Sequence, residues 1–248
     1  MGGISMSGLR ASGASVAHIM PSHQFPTGLV TSAARRYELL EWAVEAPGRY
    51  LVEDDYDCEF RFSGRPIPAL QSIDASERVI YTNTFAKSLG PAFRIGYLVL
   101  PRHLAQKFTT KLGFYSCTVS AVDQLVLARF MESGNFERHV NRMRVHYRSV
   151  KNQLIASLKS SEFGKRLGSR LRFEAVEGGL HFVMAIDGAD EAAFTQAARR
   201  TGVALAPLSG FYADAEAKAE AEAEASGSAR FVMSYGSLDS ASIPDVSC

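Results

Sequence analysis

Short apolar runs alternate with longer amphipathic stretches through the first hundred residues, the pattern of an α/β sheet. Val16 to Met20 reads as a strand and Tyr50 to Asp54 as a second; Arg78 to Thr82 and Ile95 to Leu100 follow. Between the first two, Ser32 to Ala46 has helical periodicity. Leu39, Leu40, Trp42 and Ala43 fall on its apolar side and Ser32 sits at the N-cap. The link between the third and fourth strands is too short for a parallel crossover, so the fourth is expected antiparallel to its neighbour. The opening residues 1–15, rich in Gly, Ser and Met, carry no convincing element.

The later chain changes character. Helical stretches are expected at about 102–112 and 120–132, then a long charged amphipathic helix at about 135–160. Strands at 171–176, 180–186, 203–206 and 230–235, with a helix at 190–201, suit a small α+β domain. The expected division is therefore 1–134 for a large domain and 135–248 for the bridging helix and small domain. Within the latter, 213–228 is rich in Ala, Glu and Lys and has no apolar face to dock. It reads as a solvent-exposed insertion without chemistry.

Composition narrows the function classes. Apolar residues make up 46% and charged residues 21%, and the formal net charge is +1, so no global field draws the chain to nucleic acid or membrane. Direct nucleic-acid binding by this chain is not expected. Cys58, Cys117 and Cys248 show no C-x-x-C spacing, and no signal peptide or long apolar span is visible, which favours the cytoplasm. The histidines are scattered, so no metal centre is expected; His139 and His146 read as a solvated helix face.

The chemistry concentrates at two strand ends. Tyr50-Leu-Val-Glu-Asp-Asp-Tyr56 ends an apolar run in carboxylates, and Val79-Ile-Tyr-Thr-Asn-Thr-Phe-Ala-Lys87 enters a small-residue loop carrying a lysine. A lysine and an acid so placed suit pyridoxal 5'-phosphate. The amine can form a Schiff base with the aldehyde, and the acid can keep the pyridine nitrogen protonated.

Four separated motifs, Pro21-Ser-His-Gln-Phe-Pro-Thr-Gly28, Glu53-Asp-Asp-Tyr-Asp-Cys-Glu-Phe-Arg61, Thr84-Phe-Ala-Lys-Ser-Leu89 and Pro207-Leu-Ser-Gly-Phe-Tyr212, resemble the aminotransferase-like domain of MocR-type regulators of the GntR family. That domain belongs to the fold-type-I aminotransferase superfamily, and the resemblance runs from about Gly8 to Leu238. It implies a mostly parallel sheet flanked by helices, with a small C-terminal α+β domain. It also implies Lys87 as the Schiff-base and catalytic lysine, Asp54 facing the pyridine nitrogen, Tyr56 near the phenolic oxygen, and Thr84 and Arg94 on the phosphate. For Arg94 a structural ion pair is the competing reading, and for Tyr56 simple core packing. His23 and Gln24 approach substrate or stabilise their turn; His181 lines the substrate pocket or belongs to a strand-start turn. Asp57 reads as a turn or cap residue.

Two departures bear on function. The DNA-binding module and the first part of the aminotransferase-like domain are not recognisable, so the large domain is expected to be incomplete at its N-terminus. The resemblance also places Val232 where a substrate-carboxylate arginine belongs; Arg230, two residues away on the same strand face, is the candidate substitute. Phe25 stands where ordinary aminotransferases have asparagine. The expectation is an effector domain binding an amino acid or amine, as a homodimer. The alternative is an active aminotransferase working on an amino acid and a 2-oxo acid.

Overall fold

The computed structural model describes residues 3–64, 67–212 and 227–238, together with 241 and 243. The chain forms two compact units. The first comprises 1–24, 29–59 and 64–143, and the second 25–28, 60–63 and 144–248. The division falls inside a single long helix, between Met143 and Arg144. The expected insertion at 213–228 lies outside the described residues apart from Gly227 and Ser228, which lead into the last strand.

The first unit is built on a four-stranded sheet ordered β1 (Val16–Ile19), β2 (Tyr50–Asp54), β3 (Val79–Thr84) and β4 (Gly96–Val99). The first three strands run parallel, and β4 pairs antiparallel with β3, as its short link requires. Period-two alternation sends Ala17, Ile19, Leu51 and Val79 into a core with Leu39, Trp42 and Ala43 of helix α2 (Ala33–Val44). Ser32 caps α2, its hydroxyl accepting from Arg35 N.

Contrary to the sequence expectation, the opening residues carry a helix, α1 (Met6–Ala11). Ser5 caps it by accepting from Gly8 N at 3.2 Å, and Met6 and Leu9, one turn apart, are buried in the same core. Glu53 is buried on the core side of β2. It accepts from Leu70 N and Gln71 N at 2.8 and 2.9 Å, at the start of the short helix α3 (Leu70–Ile73). Helices α4 (Arg102–Leu112) and α5 (Ala121–Glu132) follow β4, and α6 (Asn135–Ser160) leads into the second unit.

The second unit adds α7 (Glu162–Leu167), not expected from the sequence, and α8 (Glu191–Arg200). Its antiparallel sheet has the order β5 (Leu171–Glu174), β6 (His181–Asp187), β8 (Ser228–Ser234), β7 (Ala206–Pro207). Strand β7 starts where 203–206 was expected to end, because Ala206 and Pro207 are the residues in register with Val232 and Phe231. Val150, Leu154 and Leu158 of α6, spaced by helical turns, pack with Phe182, Met184, Ile186 and Phe231 of the sheet.

Candidate functional site

The polar groups of the first unit gather at the carboxyl ends of its parallel strands, the end of an α/β sheet where ligands bind. Asp54 is the last residue of β2. Alternation sets it opposite Glu53, on the face where His18 of β1 also lies, and its Oδ2 is 3.2 Å from His18 Nε2. Beyond it, Tyr56 donates its hydroxyl to the His23 carbonyl at 3.2 Å. Burial, with the charges of Asp57 and Asp54, pushes the Tyr56 phenol well above its ordinary range, so it stays a proton donor. His23 is itself buried, with Nδ1 2.9 Å from Asp57 Oδ2. Gln24, half-buried, turns the loop by donating its N–H to Leu29 O at 2.9 Å.

Strand β3 delivers the second cluster. Thr84 ends it, accepting from Ala86 N at 3.1 Å and donating to Ile95 O at 3.3 Å, which folds the chain into a tight turn. Lys87 follows in that turn, exposed, while its neighbour Ser88 is buried. His139 of α6 lies 2.7 Å from the Ser88 carbonyl, so it holds the lysine loop and is half-buried rather than solvated. Arg94 is exposed in the loop entering β4 and forms no ion pair among the described residues.

His181 and Arg230 belong to the second unit. His181 opens β6, buried, with Phe25 edge-on at 5.4 Å between ring centroids. Arg230 donates to Glu174 Oε2 across the sheet, so its guanidinium is engaged by a carboxylate of its own unit.

The structure thus brings Asp54, Tyr56, Thr84, Lys87, Arg94, His23 and Gln24 into one unit and leaves His181 and Arg230 in the other. Sequence reasoning missed His18, the Asp57 to His23 bond and the His139 support. The first was within reach: with β1 and β2 adjacent and parallel, period two puts residues 18 and 54 on one face. Asp57 is a buried partner of the preceding loop rather than a plain turn residue. These residues of the first unit offer an amine, a carboxylate, a neutral phenol, a hydroxyl and a guanidinium. These suit an anionic, carbonyl-bearing ligand with a basic ring nitrogen.

The fold is that of a fold-type-I aminotransferase domain. The family model for aminotransferase class I and II matches residues 16–236, and the chain belongs to that family. It is similar to the uncharacterized HTH-type transcriptional regulator YhdI of Bacillus subtilis, 42% identical over 77% of this chain and 40% of the relative. The probable rhizopine catabolism regulatory protein MocR of Rhizobium meliloti is 36% identical over 77% of this chain and 38% of its own. Among solved structures, the kynurenine aminotransferase of Pyrococcus horikoshii, crystallised with PMP, superposes with a TM-score of 0.74. It is 27% identical, over 97% of this chain and 56% of the relative. The chain is therefore an aminotransferase-like domain homologous to MocR-type regulators, and it spans about 40% of the length of the curated relatives it matches. Among the described residues no helix is long and apolar enough to cross a membrane.

Proposed function

We propose that the chain binds pyridoxal phosphate through Lys87 and acts as the amino-acid- or amine-sensing domain of a MocR-type regulator. The observation that carries the reading is the placement of Asp54 and Thr84 at the carboxyl ends of adjacent parallel strands, with Tyr56 and Lys87 in the segments that follow them. When bound, the cofactor supplies an aldehyde carbon for amines and a ring that takes up electrons. Asp54 would present a carboxylate to the ring nitrogen, Tyr56 a neutral hydroxyl to the ring oxygen, and Thr84 and Arg94 donors to the phosphate. Lys87 would supply the amine facing the aldehyde, and the Ser88 to His139 contact fixes its loop.

Sensing is favoured over turnover because Arg230, the candidate for the substrate carboxylate, is occupied by Glu174. The regulator relatives point the same way. We place the domain in the cytoplasm, where Cys58 and Cys117, both free thiols, stay reduced, and we propose a homodimer.

The test is borohydride reduction of the protein mixed with pyridoxal phosphate, followed by peptide mass analysis. The expected result is a phosphopyridoxyl adduct on Lys87 and loss of the yellow chromophore in Lys87→Ala. Labelling spread over surface lysines, unchanged in the variant, would sink the assignment. Adding amino acids and 2-oxo acids then separates the alternatives. Spectral change without product supports sensing, and steady formation of a new amino acid supports an aminotransferase.

A further inference from the structure

We infer that His23 and Asp57 are positioning residues that set the hydroxyl of Tyr56 toward the ring oxygen of the cofactor, an inference that rests on the pyridoxal phosphate reading above. His23 lies in the loop after β1, and Asp57 in the segment after β2. They meet as a buried pair, Nδ1 to Oδ2 at 2.9 Å, with about 5% and 2% of each residue exposed. A carboxylate at that distance puts the imidazole proton on Nδ1 and directs it to Asp57. The Tyr56 hydroxyl, 3.4 Å from the same nitrogen, then has no acceptor there and donates to the His23 carbonyl at 3.2 Å.

That carbonyl is a fixed acceptor. Its loop is closed by Gln24 N to Leu29 O at 2.9 Å and Thr31 N to Pro21 O at 2.8 Å, and anchored from the side by Asp57. That acceptor fixes where the Tyr56 hydroxyl stands before a ligand arrives, and a ligand oxygen beside it takes the proton from that fixed place. The position of His23 thereby governs how strongly Tyr56 donates to the ligand. Packing alone does not call for this pair, since buried ionisable pairs add little stability over apolar residues of the same shape. What the pair supplies is a defined place for one hydroxyl.

The experiment compares wild type with His23→Leu, His23→Asn, Asp57→Asn, Tyr56→Phe and the double variant His23→Leu/Tyr56→Phe. Two readouts are used: pyridoxal phosphate affinity and the pH midpoint of the yellow chromophore. Losing one oriented hydrogen bond is expected to weaken affinity about tenfold. The midpoint should rise in both His23→Leu and Tyr56→Phe, and the double variant should be no worse than either. Asparagine retains a donor near the Nδ1 position and should restore most of both.

A midpoint unmoved in His23→Leu but moved in Tyr56→Phe overturns the inference, as do effects that add in the double variant. A cofactor-free readout keeps the two readings apart. 3-Fluorotyrosine at position 56 should give one sharp 19F line in wild type, shifted and broadened in His23→Leu and Asp57→Asn, and recovered in His23→Asn. An unchanged line overturns the positioning role whether or not cofactor binds. Failure of wild type to take up pyridoxal phosphate, with the line responding as expected, overturns the cofactor reading alone. If His23→Leu does not fold, Asp57→Asn carries the same comparison.

Discussion

Among the acids after β2, Glu59 sits in too little water to titrate as a free carboxylate. Burial, reinforced by the charges of Asp55 and Asp57, pushes its carboxyl up to about 7. An unfolded chain gives up that proton near pH 4.5, whereas the folded chain keeps it until about 7. The folded state is therefore favoured by this group below pH 4.5, and the contribution is lost as pH rises through about 7. Glu59→Gln, neutral throughout, should flatten that decline. Urea midpoints of the two proteins between pH 4.5 and 8 should converge toward low pH and separate toward high pH, with the variant the more stable; parallel curves would mean Glu59 ionises normally. Cys58 shares this environment, and burial likewise holds its thiol protonated, so it is no candidate nucleophile.

Among the elements, the second sheet is tied at one end by charge. Arg172 of β5 donates to Asp187 at the end of β6 at 2.7 Å, and Ser228 of β8 donates to the same carboxylate, also at 2.7 Å. The bond from Arg172, then that from Ser228, lowers the Asp187 carboxyl from 3.8 to about 2. Its stabilisation is present above pH 3.8 and is lost as pH falls toward 2. Asp187→Asn should lose stability at neutral pH yet nearly match wild type at pH 2, read as thermal midpoints across that span; a deficit independent of pH would point to lost packing instead. The same sheet shows what the sequence could and could not disclose. Period two sets Arg230 on the strand face of Val232, but its partner Glu174 depends on β6 standing between β5 and β8, an order that no single strand encodes. The parallel run and the antiparallel turn into β4 were legible because loop length alone decides between them. Helix α1 was not, since Met6 and Leu9 are its only buried residues and six positions give too short a period to read. Lys87, Asp54 and Thr84 were legible as residue types at strand ends. The support from His139 was hidden, because its contact with Ser88 spans 51 positions.

At the scale of the whole molecule, the first unit leaves a broad apolar surface on α4, α5 and the turn between them. Helix α4 buries none of its residues, and Phe114 and Tyr115 stack at 4.3 Å between centroids while 77% and 68% exposed. Val122, Leu125 and Val126 add a further exposed stripe on α5. Scattered exposed leucines need no explanation, but apolar side chains concentrated on two successive helices and their turn are costly in water and suit the proposed association of two copies. With a net charge of +1, little electrostatic repulsion opposes association of two copies. If the proposed homodimer uses this face, sedimentation equilibrium should give about twice the chain mass of 27.0 kDa. Leu125→Glu with Val126→Glu would then place two buried charges at the interface and weaken association by at least about a hundredfold. Neither position is in a buried core, so the far-ultraviolet circular dichroism of the variant should match wild type. A variant that stays dimeric would move the interface elsewhere on the chain, and a wild type that sediments at 27.0 kDa would remove the dimer from the proposal altogether.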